Sequence, residues 1–132
     1  MKRQKILVHT DLFTDFLIYP GEGEPDLRRM ARKFFCYTTV FNAIELFSLA
    51  RTRREIEAVE NSMSAVKILG LNARSAPVYG RMLRMDRRLP RMNLLIAGLA
   101  IESKLPIATR RPEEFQGIGG LKIIHPDKVR NS

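Results

Sequence analysis

KILVHTDLFTDFLI, residues 5 to 18, is the stretch whose reading decides the fold. Lys5-Ile6-Leu7-Val8 is a short apolar run rich in branched side chains and reads as a buried strand. Thr10 and Asp11 are both good N-caps, and Leu12, Phe13, Phe16 and Leu17 recur at helical spacing behind them. A strand therefore runs straight into a helix, with polar side chains at the turn. In open α/β sheets ligands bind at such turns, beyond the carboxyl ends of strands. Asp11 and Asp15 are four residues apart, which stacks two carboxylates on one helix face. Their repulsion costs a little unless a cation or a basic group lies nearby. In the plainer reading, Asp11 only caps the helix and Asp15 is only solvated.

Outward from this stretch, short apolar runs alternate with amphipathic segments. Tyr19–Pro25 reads as a loop, and Pro25 opens a helix over Asp26–Lys33 that carries Arg28, Arg29, Arg32 and Lys33. Phe35–Thr38 is a second buried strand, with Thr38 or Thr39 capping a helix over Val40–Ala50. That helix is apolar nearly all round. Asn42, Glu45 and Ser48 alone interrupt it, on one narrow stripe. A carboxylate there needs a metal or a basic partner, which singles out Glu45.

Arg53–Val66 follows as an exposed amphipathic helix, with Ile56, Val59, Met63 and Val66 on its apolar side. Lys67–Leu71 is a short strand or extended connection. Ser75–Arg88 is helical, with a basic stripe at Arg81, Arg84 and Arg88 that continues to Arg91 if the turn at Leu89-Pro90 allows. Leu94–Lys104 is a helix whose Ala97, Gly98 and Ala100 permit close packing on a sheet. Leu105–Thr109 and Leu121–Ile124 are strands, with a helical turn at Pro112–Phe115 between them. The alternation implies one α/β domain over residues 1–132, with a central parallel sheet and helices on both faces.

Composition narrows the partners. The 132 residues are 45% hydrophobic, enough for a core, and contain no apolar run of transmembrane length or signal-peptide pattern. A single cysteine, Cys36, excludes an internal disulfide and fits a reducing cytoplasm; within Phe34-Phe35-Cys36-Tyr37 it reads as a buried, inert thiol. Lys and Arg number 23 against 14 Asp and Glu, a net charge of +9, with a pI near 10.3. Such a balance favours contact with RNA or DNA backbone over a membrane surface.

The order of the pieces resembles the PIN domain family, and within it the small VapC-like toxins of toxin–antitoxin pairs. The resemblance rests on Val8-His9-Thr10-Asp11-Leu12-Phe13-Thr14-Asp15, then Thr39-Val40-Phe41-Asn42-Ala43-Ile44-Glu45-Leu46. It continues with Leu94-Leu95-Ile96-Ala97-Gly98-Leu99-Ala100 and with Leu105-Pro106-Ile107-Ala108-Thr109 followed by Glu114-Phe115. It implies a three-layer fold, Mg²⁺- or Mn²⁺-dependent ribonuclease chemistry, an antitoxin partner and a homodimer. It also implies catalytic roles at Asp11, Glu45, Asn93 and Glu114. The family's first aspartate falls on His9, its glutamate on Glu45, its third aspartate on Asn93 and a later polar or acidic position on Arg111.

Those four side chains sum to zero charge with His9 neutral, a poor seat for a divalent cation. Two readings follow: an RNA-binding domain with impaired cleavage, or an active metal-dependent endoribonuclease with a rearranged site. The second uses Asp11, Asp15, Glu45 and Glu114, with metal held by His9, Asp11, Asp15 and Glu45. In the first, no cofactor is required, and Arg111 pairs with Glu45 or Asp11. Arg81, Arg84, Arg88, Arg91, Arg110 and Arg111 are the candidate phosphate contacts. His9, Asp11, Glu45, Asn93 and Glu114 are expected to converge at the carboxyl edge of the sheet.

Overall fold

The apolar run at residues 5–8 does become a central strand. In a computed structural model describing residues 3–19 and 21–129, β1 (Lys5–Val8) lies in the middle of a five-stranded sheet ordered β3-β2-β1-β4-β5. The flanking strands are β2 (Phe35–Thr39), β3 (Lys67–Leu69), β4 (Ile107–Ala108) and β5 (Ile123–Ile124), and every pairing is parallel. Of the Lys67–Leu71 segment, Lys67–Leu69 is thus an edge strand. Met1, Lys2, Pro20 and residues 130–132 lie outside the described residues, so the expected loop Tyr19–Pro25 is described except at Pro20.

Side-chain alternation along β1 builds two cores. Ile6 and Val8 face one core with Leu12, Phe13, Met30 and Leu46. Leu7 faces the other, with Ile96, Ala97, Ile107 and Phe115. The first is roofed by α1 (Thr10–Leu17), α2 (Asp26–Lys33), α3 (Val40–Leu49) and α4 (Arg53–Ser62), the second chiefly by α6 (Arg91–Glu102), with α5 (Ala76–Met85) lying on α6. Cys36 is 3% exposed, and burial pushes its thiol up to about 11, so it is inert. No helix among the described residues is long and apolar enough to cross a membrane.

Several details differ from expectation, among them α4, which stops at Ser62 short of Val66. α5 ends at Met85, so Arg88 does not continue the stripe of Arg81 and Arg84. Instead Arg88 turns back onto Asp86, donating Nη2–H to Oδ2 at 2.8 Å. α6 starts at Arg91 behind Pro90, whose fixed φ suits a helix entry, and this puts Asn93 in its first turn. Gly98 does allow a close approach, but to α5 and not to the sheet. A Cβ there would lie 2.6 Å from Tyr79 Cε2.

The strand order changes direction at β1, with β2 and β3 on one side and β4 and β5 on the other. Such a switch point opens a crevice at the carboxyl ends of β1 and β4. His9, Thr10 and Asp11 leave β1 there; Thr109, Arg110 and Arg111 leave β4.

Candidate functional site

The crevice is organised by the cap of α3. Thr39 and Asn42 form a capping box, with Asn42 N–H donating to Thr39 Oγ1 at 3.1 Å. Asn42 Oδ1 in turn accepts from Thr39 N–H at 3.1 Å and from Thr39 Oγ1–H at 2.7 Å. Its amide nitrogen therefore faces the site. Nδ2 lies 2.8 Å from Thr10 Oγ1 and 3.1 Å from His9 Nδ1. Thr10 passes the chain on, donating to Glu45 Oε1 at 2.7 Å. On the far side of the ring, His9 Nε2 faces Glu114 Oε2 at 3.4 Å, and Asn93 Nδ2 reaches the same oxygen at 3.4 Å. His9 is 3% exposed and meets Phe115 edge-on at 4.8 Å, so the ring is fixed by packing as well as by polar contacts.

Asp11 belongs to a second group. Its Oδ2 accepts from Thr109 Oγ1–H and from Arg110 N–H, both at 2.9 Å. Its Oδ1 is buried without a hydrogen-bond partner among the described residues. The Arg110 guanidinium bridges Asp26 and Asp127. Asp26 is also held by Arg29, whose Nη1 donates to the carbonyls of Pro126 at 3.0 Å and Val129 at 2.7 Å. Burial alone would raise the Asp26 carboxyl, but the hydrogen bonds from Arg110 and Arg29 outweigh it and hold it below the usual carboxylate value. Asp26 and Asp127 push the Arg110 guanidinium up, against its own desolvation. Asp15 is shifted the other way from Asp26: desolvation and the neighbouring Asp11 raise it, despite Arg110 and Arg111.

The expected acids are thus partly gathered. His9, Asn93 and Glu114 meet, and Glu45 joins them through Thr10. Asp11 sits at the exit of β4 instead, and Asp15 lines a separate cavity with Tyr19, Pro25, Asp26 and Arg110. Arg111 pairs with neither Glu45 nor Asp11; its guanidinium lies 3.7 Å from Glu114 Oε1, one helical turn on. Divalent magnesium needs free oxygen ligands in near-octahedral geometry. Here Thr10 takes Glu45 Oε1, while His9 and Asn93 share Glu114 Oε2. No three His, Cys, Asp or Glu side chains among the described residues are grouped to hold a metal. As arranged, the residues do not fit the ion, and His9, Asp11, Asp15 and Glu45 do not form one ligand set.

Of the candidate phosphate contacts, Arg81, Arg84 and Arg91 are exposed and make no hydrogen bond or ion pair with a described residue. Arg88, Arg110 and Arg111 already pair with carboxylates. Sequence reasoning missed the parts played by Thr10, Asn42, Asp26 and Arg29, and of Thr39 it saw the cap alone. The Thr39-x-x-Asn42 spacing signals a cap, and Asp26 with Arg29 signals an i, i+3 pair. Nothing local says that Asn42 reaches His9 or that Arg29 is buried.

No family model matches the sequence, and no curated protein matches it. Solved structures do. VapBC2 from Rickettsia felis, determined bound to a DNA fragment from its promoter, matches with a TM-score of 0.75 at 17% identity, over 92% of this chain and 98% of that one. DNA-bound VapBC from Salmonella typhimurium gives 0.74 at 19%, over 93% and 98%. VapBC-5 from Mycobacterium tuberculosis, of the VapBC family of toxin–antitoxin systems, gives 0.60 at 20%, over 92% and 98%. Matches at this identity speak to architecture, and over nearly its whole length the chain has the PIN-domain fold of VapC-type structures.

Proposed function

We propose that this chain is an RNA-binding PIN-domain protein of a toxin–antitoxin pair whose metal-dependent ribonuclease activity is impaired. One observation carries the reading: Glu45 and Glu114, the acids grouped around His9, face hydrogen-bond donors (Thr10 Oγ1, His9 Nε2 and Asn93 Nδ2) where a nuclease of this fold would hold metal. RNA contact falls to Arg81, Arg84 and Arg91, with Arg111 at the rim. The test is cleavage of single-stranded RNA in millimolar Mg²⁺. The unaltered protein should be nearly inactive, and His9→Asp with Asn93→Asp should gain chelator-sensitive cleavage. Robust cleavage by the unaltered protein, abolished by Glu45→Gln, would refute the reading.

The buried, unpartnered Oδ1 of Asp11 favours a second reading, the active Mg²⁺- or Mn²⁺-dependent enzyme using Asp11, Asp15, Glu45 and Glu114. It requires Asp11 to leave Thr109 and Arg110.

An antitoxin partner and a homodimer complete the proposal. α3 buries Asn42, Ala43 and Leu46 but leaves Ile44 52% and Phe47 37% exposed, a face suited to a second copy. Between α1, α3 and α4 lies a groove of ≈ 250 Å³ lined by Leu17, Ile18, Leu46, Leu49 and Val59. Beside it, Asp15 makes no hydrogen bond or ion pair with a described residue. An amphipathic antitoxin segment bearing one basic side chain would suit both features. A cytoplasmic setting fits the reduced Cys36.

A further inference from the structure

The amide of Asn42 cannot be turned round. One group facing its Oδ1 is the backbone N–H of Thr39, which donates and never accepts. Exchanging the oxygen and nitrogen would set two donors against each other in a fully buried position, since Asn42 and Thr39 are both 0% exposed. Nδ2 must therefore be the atom facing His9 and Thr10, and it too can only donate. His9 Nδ1 is then an acceptor, without a proton, and the ring proton of the neutral imidazole sits on Nε2. That nitrogen faces Glu114 Oε2. A single backbone N–H thus sets the direction of a forked chain, from Thr39 through Asn42 to His9 and Glu114 on one branch, and to Thr10 and Glu45 on the other.

We propose that Asn42 is a positioning residue that holds His9 in the Nε2–H form, so that the imidazole serves the site as a hydrogen-bond donor and is withheld from metal. The lone pair on Nδ1 is spent on Asn42, and Nε2 carries the proton, so neither nitrogen is free to ligate. Glu114, with Arg111 behind it, is the charged group that faces the ring, and Phe115 closes its edge. The inference rests on the metal-poor reading of the crevice, but the two fail separately. Cleavage assays judge that reading; the position of the ring proton judges this one.

Two-bond proton–nitrogen correlation spectra of the ¹⁵N-labelled full chain at neutral pH read the tautomer directly. There are two histidines to assign. His125 also accepts at Nδ1, from Asp127 N–H at 3.1 Å, so a His125→Gln variant separates the signals. His9 should show the Nε2-protonated pattern, unmoved by millimolar MnCl₂. Asn42→Asp puts an acceptor where the donor was, and Nδ1 should gain a proton. Asn42→Leu fills the space without donating, and the pattern should average between tautomers. A purely structural role for Asn42 would leave the ring pattern of any folded variant unchanged, which would overturn the proposal. Should the variants fail to fold, the unaltered protein decides alone. A Nδ1-protonated His9, or selective loss of its signals on adding MnCl₂, would also overturn it.

Discussion

Two polar groups sit side by side at the switch point of the sheet, and they are held together by different physics. Around His9, direction does the holding: the donors run outward from the cap of α3, and every step but the last is between neutral groups. Around Arg110, charge does most of it: Asp26 and Asp127 are set against Arg29 and Arg110, while Asp11 is held by the Thr109 hydroxyl and the Arg110 backbone N–H with one buried oxygen left over. The first group lies at the carboxyl ends of β1 and β2, where the proposed function places the candidate metal position. The second ties α1, α2, β4 and the segment at Pro126–Val129 into one piece. The difference teaches that carboxylates at a sheet's switch point can be held either by aimed neutral donors or by opposite charges, without a cation in either case.

The charged group should break hardest. Arg29→Ala removes a guanidinium that is 7% exposed and leaves Asp26 and two carbonyls short of a donor. Urea unfolding should show a loss of about 3–5 kcal/mol, as for other broken buried pairs. The directional group should yield less. Asn42→Ala leaves Thr39 N–H and His9 Nδ1 without their partner, and should cost about 2 kcal/mol by the same measurement. If Asn42→Ala proved costlier than Arg29→Ala, the contrast between the groups would be reversed.

RNA affinity sharpens the comparison from outside, since it should draw on the arginines that neither group uses. Replacing Arg81, Arg84 and Arg91 together should flatten the slope of log affinity against log salt by about two, at roughly 0.7 per phosphate contact on single strands. An unchanged slope would reduce them to a solvated face.

The smallest effects concern pH. Asp26 has a depressed folded value, so its stabilisation is present above its unfolded value near 3.8 and is lost as pH falls through the lower folded value. Asp26→Asn should therefore flatten the acid limb of a stability–pH curve. Asp15 is raised, so the sign reverses: the stability linked to it is full below its unfolded value and is lost as pH rises through the higher folded value. Asp15→Asn should make the protein slightly more stable at neutral pH and no different in strong acid, read from urea midpoints across the range.

Much of the fold was legible because its signals are local. The apolar run before Thr10 and the spacing behind it gave β1 and α1, and Thr39 before an apolar helix gave the cap of α3. β4 and β5 came out shorter than their apolar runs, at Ile107–Ala108 and Ile123–Ile124, because strand length depends on what the neighbour offers. Part of the expected cluster does come together, though Asp11 turns to Thr109 and Arg110 instead, and the wiring among its members was not legible. His9, Glu45, Asn93 and Glu114 were picked out by position, whereas the link from Asn42 to His9 spans 33 residues and exists only once α3 packs beside β1. Nothing in the sequence set Arg29 apart from Arg28 and Arg32, because its burial depends on Pro126 and Val129, about a hundred residues away.

The central claim is that this crevice is a complete hydrogen-bonded site needing no divalent cation. Calorimetric titration with MgCl₂ of the unaltered protein, beside the His9→Asp, Asn93→Asp double variant, tests it most directly. The account predicts no binding heat from the unaltered protein and a saturable one-site isotherm from the variant. Saturable binding by the unaltered protein, lost in Glu45→Gln, would contradict it.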